Sequence, residues 1–383
     1  MSAFRLIPVF VFWLIFFSSC HNNSRVFENK LPDTQVYNVP YDTVKDNIIS
    51  FFSGKQYENR NCLGKFDSLT SWKKFSFRMD SGFSYLDTSR LIKMSNWAET
   101  EITYRHDTSV LFYPFGGPDF LNANTFYPNA SKYILIGLEP VGKLPDICNM
   151  TPSEVDEYLD DIWLSLSDIF RRSYFITGHM VDALKKEEVG GATPLISIFI
   201  KRRGYKVVSL DYIGIDNTGN WQYSDSLKNK KSFASGVKID FVPVNSNRIQ
   251  TLFYIRANLS DEGLKKNEPL RRYLYSLPIR HTYLKAASYL MHSKEFSQIR
   301  SLILDKSKSI LQDDSGIAYR FFDKKYWDIK LYGKYQRPGK EFSWINEPDL
   351  AEAYHKMPVK QVPFTLGYNW RTRAINLLYA VKR

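Results

Sequence analysis

The stretch from Ser109 to Leu138 constrains the fold of this chain more than any other. Ser109-Val110-Leu111-Phe112-Tyr113 is a short apolar run of strand length. Pro114 to Asp119 holds two prolines and two glycines, residues that break regular structure and turn the chain. Phe120 to Phe126 can form a helix, and Tyr133 to Leu138 is a second apolar run, ended by Glu139-Pro140-Val141-Gly142. Strand, glycine turn, helix and strand make a compact βαβ unit. Such units build parallel sheets whose ligands usually sit beyond the carboxyl ends of the strands. The expected fold class is therefore α/β: a mixed sheet flanked by helices, with a short βαβ unit near residues 109–138. Gly116 to Asp119 and Glu139 to Gly142 both fall at the ends where ligands bind.

Elsewhere the pattern alternates between helical and strand periodicity. Helical spacing marks Tyr41 to Phe52, Leu69 to Arg78 and Ser84 to Thr103. Thr151 caps a helix that Pro152-Ser153-Glu154 opens and that runs to about Arg172. Another helix is expected from Gly178 to Glu188, ending at Gly190-Gly191. Thr193 to Ile200 and Tyr205 to Ile215 read as a strand pair turned near Arg203-Gly204. Val237 to Val244 and Arg248 to Ala257 read as a second pair, turned at Asn245-Ser246-Asn247. Helix is expected at Leu270 to Tyr275 and Thr282 to Ser309. Strands are expected at Ile317 to Phe322, Trp327 to Tyr335, Phe364 to Tyr368 and Ile375 to Val381. No short-period repeat and no low-complexity tract interrupts the sequence.

The first 40 residues have a different character. Arg5 is the only charge before residue 25, Leu6 to Phe17 are apolar except Pro8, and Ser18-Ser19-Cys20 follow. A positive start, a short apolar run and small residues at a cut site read as a secretory signal. The run falls short of the roughly 20 residues that span a bilayer. Phe17-Ser18-Ser19-Cys20 resembles the lipobox of bacterial lipoproteins, although the family usually has Leu where Phe17 stands. The resemblance implies cleavage before Cys20 and lipid on its sulfur, with two or three acyl chains giving lasting attachment. His21 stands where lipoproteins retained at the inner membrane often carry Asp, which points to the outer membrane and its periplasmic face. The expected organisation is a signal peptide over 1–19, a polar tether over 20–40 and a globular body over 41–383. Two subdomains meeting near 145–190 are compatible with it.

At 383 residues the chain is long enough for a large core, and 24% charged with 44% hydrophobic residues is ordinary for a globular protein. Aromatic residues reach 16%, which suits an aromatic core and also stacking platforms for sugar rings or apolar ligands. The net charge of +12 is spread over small clusters, such as Lys201-Arg202-Arg203 and Lys228 to Lys231. In an envelope such a field meets lipid phosphates or cell-wall carboxylates, not nucleic acid. Besides Cys20 the chain has Cys62 and Cys148, which either pair in an oxidising compartment or remain buried thiols.

The octet Tyr113-Pro114-Phe115-Gly116-Gly117-Pro118-Asp119-Phe120, with Leu138-Glu139-Pro140-Val141-Gly142, resembles a group of uncharacterised bacterial envelope lipoproteins. Leu311 to Gly316 and Phe364 to Tyr368 resemble later parts of the same pattern. The group often has serine where Gly116 stands, so this chain departs there and a serine nucleophile loses support. The resemblance implies location and no activity.

Three places carry candidate chemistry. Gly116, Gly117 and Asp119 form a turn at a helix start, either a ligand cradle or a plain turn with Asp119 as cap. Glu139 would join Asp119 as a carboxylate pair for acid–base work, or else make a structural hydrogen bond. Asp313-Asp314 before Gly316 suits a hard cation or, more simply, an Asx turn. The chain lacks the phosphate-loop, dinucleotide and nucleophile-elbow patterns and any paired histidine spacing for zinc. His281 and His292 fall on one face of the expected helix but too far apart to share a ligand. No cofactor or metal is expected. The reading that follows is a membrane-anchored binding or structural module, with an envelope protein, a glycan or anionic lipid as partner. A hydrolase or other enzyme using the clustered carboxylates is the alternative.

Overall fold

The expected βαβ unit is the middle of the fold. In the computed structural model, β1 (Val110–Tyr113) leads through the glycine turn into a helix at Phe120–Phe126, then into β2 (Lys132–Gly137), which lies parallel to β1. The structure describes residues 39–58, 61–172, 190–227, 232–286, 288–338, 340–367 and 375–383. Cys20, the helix expected at Gly178 to Glu188, Lys228 to Lys231 and Tyr368 lie outside the described residues.

Five strands run parallel through the centre. They are β1, β2, β6 (Gln250–Arg256), β7 (Ile279–Leu284) and β8 (Ser309–Gln312). Their spatial order is β6-β2-β1-β7-β8. Numbered by appearance among these five, that is the doubly wound order 3-2-1-4-5. Antiparallel strands extend both sides. β5 (Ser235–Pro243), β3 (Tyr205–Ile215) and β4 (Trp221–Tyr223) continue from β6. On the other side β11 (Asn376–Lys382) runs antiparallel to both β8 and β9 (Trp327–Gly333), and β10 (Val359–Lys360) pairs with β9. Among the described residues the result is one mixed sheet of eleven strands.

Helices cover both faces. α1 (Thr43–Phe52), α2 (Thr70–Leu86), α3 (Ile92–Glu101), α4 (Phe120–Phe126), α5 (Pro152–Arg172) and α6 (Ala192–Arg202) pack on one face, against Leu111, Tyr113, Tyr133 and Leu135. α7 (Asp261–Lys266), α8 (Glu268–Ser276), α9 (Ser297–Lys306) and α10 (Pro348–Lys356) pack on the other, against Val110, Phe112, Ile134 and Ile136. Strand side chains alternate between faces, so every central strand feeds both cores, and β1 with the body of β2 reads as continuously apolar. Thr151 caps α5 as expected, and with Glu154 it forms a capping box: the Glu154 amide donates to Thr151 Oγ1 at 3.3 Å, and the Thr151 amide donates to Glu154 Oε2 at 2.6 Å. Cys62 and Cys148 are joined in a disulfide that ties the segment before α2 to the one before α5.

Four expectations fail. Thr193 to Ile200 is helical, within α6, and every residue from Ala192 to Ile200 is buried. A segment buried all round has no polar face, so period alone cannot separate helix from strand. Thr282 to Ser309 is not one helix; it holds the end of β7, two 3₁₀ turns, α9 and the start of β8. His281 therefore lies on a strand and His292 in a turn. Ile317 to Phe322 is a loop with one 3₁₀ turn, and Phe364 to Gly367 is a turn whose Phe364 and Leu366 reach the core. Their apolar side chains fill gaps between elements without any ladder pairing.

Candidate functional site

The order of the parallel strands fixes where a crevice can open. From β1 the chain winds outward through β2 to β6, then returns to start β7 on the opposite side of β1. The loops leaving β1 and β7 therefore diverge, and ligands of such sheets bind in the gap. A pocket of about 210 Å³ occupies this place. Its walls come from four carboxyl ends: Phe115 after β1, Leu138 and Glu139 after β2, Asn258 after β6, and Leu290 and Phe296 after β7.

The glycine turn shapes one wall. Phe115 and Gly117 have φ of 63° and 54°. Gly117 takes this left-handed backbone without the Cβ penalty that Phe115 bears. The Phe115 ring meets Phe296 edge-on, with centroids 5.9 Å apart. A Cβ on Gly116 would lie 2.6 Å from the Tyr113 ring, so a serine there needs that ring to move.

Glu139 is the acidic group among the described residues that line the pocket. Its carboxylate lies over two glycines: a Cβ on Gly137 would come within 2.2 Å of Oε2, and one on Gly117 within 3.2 Å. The Tyr254 hydroxyl donates to the Glu139 carbonyl at 2.9 Å and to Oε2 at 3.2 Å. Burial, and then the facing Glu139 charge, keep that phenol protonated far above its usual range. Gly117, Gly137 and Tyr254 thus hold a half-buried carboxylate at the end of the strand next to the switch point.

Asp119 belongs to a separate, buried group. It is 2% exposed and caps α4 by accepting from the Asn122 amide at 3.2 Å. The Tyr113 hydroxyl donates to it at 3.0 Å, and the Lys285 ammonium lies 2.6 Å from Oδ2. Lys285, 3% exposed, follows β7 directly. Burial lowers its pKa, and the Asp119 charge opposes that shift. Arg90 comes from a π-helical turn at Asp87–Leu91 and donates to the Ile169 carbonyl at 2.8 Å. Its pKa is pushed down to about 10 by burial, against the attraction of Asp119. Asp313 accepts from the Ala286 amide at 3.2 Å and from the amide and hydroxyl of Ser315, an Asx turn. Burial raises its pKa. Asp314 is also buried.

The residues named from sequence therefore divide. Gly117 and Glu139 meet at the pocket. Gly116 makes room for the Tyr113 ring, and Asp119, Asp313 and Asp314 are buried beneath the loops. Asp119 and Glu139 have separate hydrogen-bond partners. Among the described residues no three metal-ligating side chains converge. Lys285, Tyr254, Asn258 and Phe296 escaped sequence reasoning. Lys285 and Phe296 lay inside a segment read as helix, and Tyr254 and Asn258 became notable only once β6 was seen beside β2.

Fold and site together define a doubly wound α/β protein with a pocket at its topological switch point. No protein-family model, curated protein or solved structure matches the chain.

Proposed function

We propose that this protein is a lipid-anchored envelope component whose switch-point pocket binds a small neutral ligand of nucleoside type, a planar ring joined to a sugar with adjacent hydroxyls. The observation that carries this reading is Glu139. A carboxylate at the end of the strand beside the glycine turn, about 20 residues further on, is where doubly wound sheets hold ribose hydroxyls. An ionised carboxylate only accepts hydrogen bonds, so it selects hydroxyl or amine donors. Phe115, Leu138, Leu290 and Phe296 offer apolar walls for a ring, and none of the described lining residues is cationic, which disfavours a phosphate. The carboxylate-enzyme reading has less support, because Asp119 and Asp313 are already bonded inside the protein.

Calorimetric titration with adenosine tests the ligand class. Glu139→Gln keeps the shape and removes the charge, and loss of charged hydrogen bonds is expected to weaken binding by about 10- to 100-fold. Equal affinity in the variant, or no binding by the native protein, would end the proposal.

The anchor is supported by the lipobox resemblance at Cys20, and the Cys62–Cys148 disulfide accords with an oxidising compartment. No described helix is long and apolar enough to cross a membrane. Cys20→Ser is expected to move the protein from the membrane pellet to the soluble fraction. Continued sedimentation of the variant with membranes would remove lipid as the means of attachment.

A further inference from the structure

The pocket wall after β7 is held from behind by a contact that the ligand reading does not use. Residues 288–296 carry Leu290 and Phe296 into the pocket. Between them His292 turns inward and is 8% exposed. Among the described residues its Nε2 has no hydrogen-bond partner, and it lies 3.9 Å from Oε1 of Glu347, itself 2% exposed. The ring's other nitrogen faces the Gly316 carbonyl. Donation there leaves Nε2 as an acceptor. Glu347 precedes α10; its Oε2 accepts from the Tyr319 amide at 2.5 Å, and its own amide donates to the Tyr335 hydroxyl at 3.0 Å. The backbone on either side of His292 is tied as well. Arg300 donates to the Met291 and Ser293 carbonyls, and Arg320 donates to the His292 carbonyl at 3.2 Å.

We infer that the His292–Glu347 contact is a proton-controlled fastening of the pocket wall, holding Leu290 and Phe296 in place while both side chains are uncharged. The inference rests on the ligand reading only for its consequence in binding. A neutral Glu347 presents a hydroxyl donor toward an acceptor nitrogen. An ionised Glu347 presents a buried charge to the same nitrogen, near the carboxylates of Asp314 and Asp349 and the hydroxyls of Tyr335 and Tyr354, with Arg320 as the nearby cation. Burial pushes Glu347 up to about 8, with Asp349 and Asp314 adding to the shift and the Tyr319 amide and Arg320 opposing it. Burial, then Arg320 and Arg300, push His292 down to about 4. Both groups are thus neutral between about 4 and about 8.

The sign follows from proton counting. Glu347 holds its proton in the fold at pH values where the unfolded chain has released it, so its contribution is lost as pH rises toward about 8. His292 acts oppositely: its contribution is complete above its ordinary value of 6.5 and is lost as pH falls toward about 4. Rising alkalinity therefore releases the wall through Glu347 alone.

Hydrogen exchange of residues 288–296, corrected for intrinsic chemical rates, reads the fastening without any ligand. The native protein is expected to exchange about 10-fold faster at pH 9 than at pH 7, in line with one proton unit of linkage. Glu347→Gln, a permanent mimic of the neutral acid, should show no such rise. Asp349→Asn should shift the midpoint to lower pH, because Asp349 helps keep Glu347 protonated. A flat profile in the native protein, the same rise in Glu347→Gln, or an unmoved midpoint in Asp349→Asn each overturns the inference. Absence of adenosine binding at pH 7 alongside the expected exchange profile would remove the ligand reading and leave the fastening intact.

Discussion

Lys285→Met is expected to lower the unfolding free energy by about 3–5 kcal/mol, the usual consequence of removing one partner from a buried ion pair. The loss comes from Asp119. With the ammonium gone, a carboxylate that is 2% exposed has the Tyr113 hydroxyl, the Asn122 side chain and amide and the charge of Arg90 left, among the described residues, to offset its burial. Because Asp119 caps α4, the damage should reach the glycine turn that forms one pocket wall. Urea denaturation of the native and variant proteins measures the effect. Adding Asp119→Asn to Lys285→Met should recover part of the stability, since the carboxylate left without its ammonium is then neutral. A loss below about 1 kcal/mol would mean that Asp119 draws its stabilisation from elsewhere, because exposed pairs are worth that little.

The second large effect is expected at the disulfide. Cys62 and Cys148 are 86 residues apart, with Cα atoms separated by 5.3 Å. In the chain-entropy account a loop of that length contributes about 4–5 kcal/mol, by restricting the unfolded chain. The paired Cys62→Ser and Cys148→Ser variant should lose that order of stability, read as a lower urea midpoint. Reductant should lower the native midpoint and leave the variant unchanged. An unchanged midpoint in the variant would show that the α2 and α5 packing alone closes this loop.

Residues with local signals were legible in the sequence, and residues defined by their neighbours were not. The β1–α4–β2 unit was readable because glycines and prolines punctuate it and its strands are short and apolar. Thr151 was readable because an N-cap before a proline at the first helical turn is a pattern of near neighbours. From Ile279 to Ser315 there is no glycine or proline, so a strand, two 3₁₀ turns, a helix and another strand follow without punctuation and resemble one helix. Leu290 and Phe296 lie in that stretch, as do Lys285 and His292 outside the pocket, which explains why the wall after β7 was invisible. Glu139 was visible as a strand-end carboxylate, but its support from Tyr254 depends on β6 returning beside β2. Cys62 and Cys148 left pairing open, since spacing alone does not bring two cysteines together. β4, β8 and β10 have only three, four and two residues, too few to show a period.

The position of β11 bears on how the chain reaches its native state. This strand is inserted between β8 and β9, and among the described strands it alone joins the parallel centre to the β9–β10 pair. A chain that stopped before Asn376 would leave β8 and β9 with unpaired amides and carbonyls facing one another, two adhesive edges in place of a closed sheet. The sheet can be completed only after β11, which follows every other described strand in chain order, becomes available. Until then the two open edges are the part of the sheet most exposed to aggregation and proteolysis.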